Sequence, residues 1–207
     1  MAAPDATFLA AIDQGTSSSR VIIYDEHLVP LVAHAKEFNG VNPKPGWAEI
    51  DPLVLIDTVN ECIAGAFDKL REKVGVDVKI RCVGVTNQRE TTCVWSRKTG
   101  FPLAPAIFWY CQRTKHLCDV VVAQRGGDRD CLRSICGLPV NSYFSGLKMR
   151  WLIENVLAVR KAVDDGDAMF GTVDTWLVYK LTQGKCYVTD VTNASRTMLL
   201  NLKSLQW

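Results

Sequence analysis

The stretch that most constrains the fold lies near the start of the chain. An apolar run, Phe8-Leu-Ala-Ala-Ile12, breaks at Asp13-Gln-Gly-Thr-Ser-Ser-Ser19 and resumes as Val21-Ile-Ile-Tyr24. Two short apolar runs around a turn rich in glycine and hydroxyls predict strand, tight turn, strand. Residues 31–38 read as a third extended piece, and residues 39–51, with Pro43, Pro45 and Gly46, as loop. Pro52 suits a first helical position with Asp51 as N-cap. From there Leu53, Ile56, Val59, Ile63, Phe67 and Leu70 recur at helical spacing, which predicts one long amphipathic helix over Pro52–Val74 that stops near Gly75.

Further on, residues 79–85 form a β-rich run, 92–96 a short extended piece with its turn at 98–100, and 106–109 another strand. Helical patterns follow at 115–125, 130–136, 145–156 and 172–181, and residues 187–191 and 197–202 read as extended. Strands, then a helix, then strands and more helices predict the α/β class with a mixed rather than purely parallel sheet.

Composition narrows the function classes. Of 207 residues, 48% are hydrophobic, enough for a globular core. The 24 basic and 22 acidic residues leave a net charge of +2, which argues against a broad basic surface for nucleic acid or acidic membrane. No apolar run approaches the roughly 20 residues that span a bilayer. The start, Met-Ala-Ala-Pro-Asp, has no basic stretch before an apolar core, so no signal peptide is expected. The eight cysteines are scattered without a CxxC pair, and only three histidines accompany them, so reduced thiols in an intracellular protein are expected rather than disulfides or a zinc site.

Four places carry candidate chemistry. In Asp13-Gln-Gly-Thr-Ser-Ser-Ser-Arg20, glycine allows close backbone approach, while hydroxyls, amides and an arginine offer donors to phosphate oxygens. Asp13 at the strand end suits a Mg²⁺ ion, usually through water. The same turn also reads as a hairpin without a ligand, and it is neither a Walker loop nor GxGxxG. In Asn87-Gln-Arg-Glu-Thr91, Arg89 donates and Glu90 accepts, so the two can grip vicinal hydroxyls; an ordinary ion pair at a strand end is the alternative. Trp109, in Phe108-Trp-Tyr110, is a wall for the C–H face of a polyol or else core. The Tyr143 hydroxyl either reaches a ligand or caps buried backbone. Residues 190–196 read mainly as loop-ordering hydrogen bonds, and Trp151, Trp176 and Leu177 as core.

Taken together these pieces resemble one family, the FGGY carbohydrate kinases, and within it the glycerol kinases. The resemblance rests on Asp13–Arg20, Gly46-Trp-Ala-Glu-Ile-Asp-Pro52, Asn87-Gln-Arg-Glu-Thr-Thr92, Gly137-Leu-Pro-Val-Asn-Ser-Tyr-Phe-Ser145, Phe170-Gly-Thr-Val-Asp-Thr-Trp176 and Thr189-Asp-Val-Thr-Asn-Ala-Ser-Arg-Thr197, in the family's order and over nearly the whole chain. It implies a ribonuclease H-like, actin-like ATPase fold of two α/β domains, and transfer of the ATP γ-phosphoryl group to glycerol, giving sn-glycerol 3-phosphate and ADP. Residue by residue it implies Asp13 near Mg²⁺, Thr16, Ser17, Ser18 and Arg20 at the nucleotide phosphates, and Arg89, Glu90, Tyr143 and Trp109 at glycerol. Tyr110-Cys-Gln stands where many relatives have acidic or polar residues, while Arg113 and Thr114 keep the usual pair.

The resemblance further implies that residues 1–207 belong to the N-terminal domain. The acidic general base and the adenine-binding domain are then expected beyond Trp207, so that this chain by itself is close to inactive. A homo-oligomer and a cytoplasmic location are also implied, with a peroxisome-like organelle or the mitochondrial surface as alternative locations. A sister FGGY kinase acting on another polyol or sugar, and a non-catalytic glycerol-binding protein, are the competing readings.

Overall fold

The structure, a computed structural model, describes residues 7–75 and 78–207. The start read for a signal peptide lies outside the described residues. In chain order the elements are β1 (Thr7–Gln14), β2 (Ser18–Tyr24), β3 (Pro30–Glu37), β4 (Glu49–Ile50), α1 (Pro52–Val74), β5 (Lys79–Asn87), β6 (Thr92–Ser96) and β7 (Ala106–Ile107). They continue as α2 (Lys115–Gln124), α3 (Arg133–Cys136), α4 (Ser145–Asn155), α5 (Leu157–Asp164), β8 (Ala168–Thr172), α6 (Val173–Leu181) and α7 (Val191–Ala194). The chain divides into two compact units, one of residues 1–39 and 53–88, the other of 40–52 and 89–207.

In the first unit the sheet order is β3-β2-β1-β5. The first three strands form an antiparallel meander, and β5 runs parallel to β1. The expected hairpin and mixed sheet are therefore present. Even-numbered positions of β1, from Phe8 to Gln14, are buried, and the odd-numbered ones are not, as a strand with one covered face requires. Helix α1 spans the expected residues. Its deepest stripe runs through Leu55, Val59, Cys62, Ala66 and Leu70, rotated from the expected one, so that Ile63 and Phe67 are only half-buried. Small side chains explain the rotation: a Cβ at Gly65 would lie 2.1 Å from the His34 ring, so that side of the helix can come close to β3 only without one. The approach is fixed by polar bonds. The Ser19 and Thr58 hydroxyls pair at 2.8 Å, and the Lys69 and Lys73 ammoniums donate to the carbonyls of Ala33 and Leu31.

The second unit is built on an antiparallel sheet of order β4-β7-β6-β8. Every residue of β6 is buried, as befits a central strand contacted by both α4 and α6. Trp95 on β6 packs against Trp176 and Tyr179 of α6, with ring centroids 5.2 and 5.4 Å apart. Trp151, Trp176 and Leu177 are buried as expected. Arg113 is buried too: its guanidinium pairs with Glu49 at 2.6 Å and lies over the rings of Trp47 and Trp151. All eight cysteines are free thiols. Among the described residues no helix is long and apolar enough to cross a membrane.

Several sequence expectations give way here. Residues 187–191 are not a strand. Tyr187, Val188 and Val191 are exposed, and Asp190 caps the short helix α7 by accepting from the Asn193 amide, so β-propensity without a partner strand loses to a local cap. Residues 197–202 are not extended either, because Met198 adopts φ +66°. Four elements have no counterpart in the sequence reading: β4, α5, α7 and β8, the last of which pairs along its whole length with β6. The loop at 39–51 contains β4 and a bridge from Val41 to Glu49, and the expected strand at 106–109 ends at Ile107.

Thr58→Val removes the partner of the buried Ser19 hydroxyl while preserving shape. We expect a loss of about 1–3 kcal/mol in stability, read from urea denaturation; an unchanged midpoint would show that the pair does not hold α1 on the sheet.

Candidate active site

The hairpin of the first unit presents one side of its chemistry to solvent. Gly15 N–H donates to Ser18 O at 2.8 Å, closing the turn, and Phe38 N–H donates to Ser17 O at 3.0 Å. Gln88, just beyond β5, completes the scaffold: its amide nitrogen donates to Gln14 Oε1 and Gly15 O, and its backbone N–H to Gln14 O at 2.7 Å. Asp13 and Arg20 face each other across the β1–β2 ladder, and Thr86 on β5 is the other neighbour of Asp13. Directly opposed residues share a sheet face, so Asp13 and Arg20 stand together, with Ser18 two positions from Arg20 on the same side. Both charged side chains are exposed, and neither enters an ion pair among the described residues. Thr16 is half-buried and Ser17 exposed. Ser19 turns inward, to Thr58.

In the second unit the predicted residues divide. Glu90 is buried at 3% exposure and adopts φ +63°, the left-handed region that side chains usually avoid. It is held there from several directions. Its carbonyl accepts from the hydroxyls of Ser145 at 3.0 Å and Thr92 at 3.1 Å, and its Oε1 accepts from Arg196 Nε at 2.6 Å. A left-handed non-glycine residue persists only when its surroundings over-determine it, and such residues cluster at functional sites. Trp109 is half-buried beside fully buried Phe108, and its backbone N–H donates to the Thr91 hydroxyl. The Trp109 and Tyr143 rings lie 5.3 Å apart. The Arg196 guanidinium sits 5.8 Å from the Tyr143 ring and 4.9 Å from Phe144. Glu90, Arg196, Tyr143 and Trp109 thus form one linked group. Arg89 is exposed, and the structure does not bring its side chain into that group.

The ordinary Arg89–Glu90 ion pair is excluded, because the partner of Glu90 is Arg196, 106 positions away. Arg196, in a segment that reads from the sequence as loop-ordering hydrogen bonds, is the residue the fold adds to this group. Asp190, Thr192 and Asn193 do form such bonds. Desolvation alone would raise the Asp190 carboxyl, but hydrogen bonds from the side chains and amides of Asn193 and Thr192 bring it below the usual carboxylate range. That cap sets the turn from which Arg196 departs. The Tyr143 hydroxyl makes no hydrogen bond among the described residues, so it does not cap buried backbone there. No cluster of three His, Cys, Asp or Glu side chains forms among those residues.

Residues 8–207 match the N-terminal domain of the FGGY family of carbohydrate kinases. The chain belongs to that family. It is 48% identical over 204 residues to glycerol kinase from Arabidopsis thaliana, an alignment covering 97% of this chain and 39% of that protein. Among solved structures it is similar to Plasmodium falciparum glycerol kinase with ADP, at TM-score 0.92 and 38% identity over 98% of this chain and 39% of that one. It is also similar to gluconate kinase from Lactobacillus acidophilus, at TM-score 0.81 and 25% identity over 98% of this chain and 38% of that one. The fold is the ribonuclease H-like, actin-like ATPase fold of these sugar kinases, and the chain spans about two fifths of the length of the relatives it matches.

Arg196→Met strips a buried carboxylate of its counter-charge. Because the Arg196 side chain is partly exposed, at 28%, we expect a loss of about 1–3 kcal/mol in stability rather than the larger cost of a fully buried pair. Thermal melts of Arg196→Met beside Arg196→Lys check this, with lysine restoring part of the loss.

Proposed function

We propose that this chain supplies the phosphate-binding hairpin and the polyol-binding side chains of an ATP-dependent glycerol kinase. In this reading the γ-phosphoryl group of ATP passes to a terminal hydroxyl of glycerol, giving sn-glycerol 3-phosphate and ADP. The observation that carries it is Glu90: a buried carboxylate with Oε1 already bound by Arg196, standing with Tyr143 and Trp109. A fixed carboxylate accepts from hydroxyls, a phenol can do either, and an indole face covers C–H groups. That set suits a small neutral polyol. The names of the relatives and the ADP-bound neighbour support the same reading.

The chain's part in the chemistry is positioning and charge stabilisation, which carry most of the catalysis in phosphoryl transfer. Thr16, Ser17, Ser18 and the Gly15 turn would cradle phosphate oxygens, with Arg20 offsetting their charge. Arg89, exposed beside Glu90, would donate to a glycerol hydroxyl. The exposed Asp13 carboxylate is a hard oxygen ligand, and it fits Mg²⁺ held jointly with nucleotide phosphates. When bound, that ion would neutralise charge on the phosphate oxygens. Proton removal from glycerol is assigned to none of these residues.

The test is phosphorylation of glycerol, xylulose and gluconate by a polypeptide of the relatives' length that carries these residues. Glycerol should be the preferred substrate; faster turnover of either alternative would overturn the assignment. In the same protein Glu90→Ala should raise the KM for glycerol by about 5- to 150-fold, the equivalent of one lost buried partner. Asp13→Asn should lower kcat far more than it changes glycerol affinity, and the reverse pattern would move Asp13 out of the phosphate site.

A further inference from the structure

We propose that Lys148 is a positioning residue of the polyol site: its ammonium grips the turn 142–144 through the backbone and so fixes where Tyr143 stands against Trp109. This rests on the polyol reading above and extends it to a residue that touches no substrate.

Lys148, at the end of the first turn of α4, is fully buried at 0% exposure. Its Nζ donates to three consecutive carbonyls, those of Ser142 at 2.7 Å, Tyr143 at 2.5 Å and Phe144 at 3.3 Å. An ammonium has three N–H donors and no acceptor, so the match of donors to acceptors is complete. No carboxylate forms an ion pair with it among the described residues. Burial pushes its pKa down from 10.5 to about 7; Cys111, Glu90 and Cys118 draw it back up, and Arg113 lowers it further.

A buried cation without a paired anion is costly. A helix that needed only to fill this volume would do so with methionine. What the ammonium supplies, and methionine cannot, is a common partner for three successive carbonyls. They belong to the turn that carries Tyr143. The same turn is braced by the Asn141 side chain, which accepts from the Tyr143 N–H, and by the Ser142 hydroxyl bonded to Gln112, three residues beyond Trp109. The turn is thus tied at its centre by Lys148 and on one side to the Trp109 segment. The Tyr143 ring is left half-buried, 5.3 Å from the indole.

The test uses Lys148→Met and Tyr143→Ala, singly and together, in a polypeptide of the relatives' length that carries these residues, with its glycerol and Mg-ATP affinities read by calorimetry and exchange of the amides of residues 141–145 read by hydrogen exchange. Lys148→Met should weaken glycerol binding by about ten-fold and speed exchange in the turn. Mg-ATP affinity should stay within two-fold, since the phosphate hairpin is untouched. In the Tyr143→Ala background the substitution should have no further effect on glycerol, because residues acting through one another are not additive. A purely structural role would instead weaken both ligands and add fully to Tyr143→Ala, which overturns the proposal. If Lys148→Met does not fold, Lys148→Gln is read in the same way. A parent protein of that length that binds no glycerol overturns the polyol reading and this one with it. A parent that binds glycerol no better than its Lys148→Met variant overturns this one alone.

Discussion

A carboxylate inside a protein must be given a counter-charge and donors, and much of the second unit answers that demand at Glu90. Its left-handed backbone turns the chain sharply just before β6, and its carbonyl is taken by the hydroxyls of Ser145 and Thr92. Among the described residues its ion-pair partner is Arg196, which must return from far along the sequence. The Asp190 cap and the short helix α7 shape that return. The start of α4 and the segment after α7 are therefore both tied to one residue. Loosening the segment after α7 leaves a buried charge without its partner, at a cost of about 1–3 kcal/mol.

What could be read in the sequence follows from how local each cause is. The β1–β2 hairpin, the span of α1, β6 and the helices near 115, 145 and 173 are set by period and by turn residues within a few positions of one another. The elements missed have distant causes. Strand β8 holds Gly171 and has little alternation, and it exists because β6 offers a full ladder 72 to 80 residues upstream. Residues 187–191 have the β-branched composition of a strand and no strand to pair with. In α1 the expected stripe was correct in type and rotated in detail, because close approach at Gly65 outweighed the bulk of Ile63 and Phe67.

The site divides along the same line. Asp13, Thr16, Ser17, Ser18 and Arg20 lie on eight consecutive residues, so their common turn was visible as a motif. Glu90, Trp109 and Tyr143 were picked out as types that suit a polyol, but spacing alone could not choose between wall and core for Trp109 or between ligand and cap for Tyr143. The partners that settle Glu90 and Tyr143, Arg196 and Lys148, belong to segments that read as loop and as amphipathic helix. One signal for Lys148 was present: a lysine three residues into a helix whose neighbours Leu147, Trp151 and Leu152 are apolar. A cation on a core-facing stripe asks for acceptors, and only the fold shows that these are three carbonyls of the preceding turn.

The two groups of residues differ in how their charges are treated, and the difference agrees with what each would bind. Asp13 and Arg20 are exposed and outside any ion pair among the described residues, whereas Glu90 is buried with Arg196 already bound to it. A phosphate brings its own charge and can bring a cation, so a site for it gains by leaving its side chains open until the ligand arrives. A neutral triol brings none. A protein that binds one must satisfy its buried charges beforehand and leave only oriented hydrogen-bonding capacity to the ligand, or each hydroxyl would have to compete with water for a strongly solvated carboxylate. Pairing Glu90 with Arg196 meets that requirement. The same logic makes a backbone-gripping Lys148 reasonable, because its donors are spent on carbonyls inside the protein and shape the site without competing for the polyol.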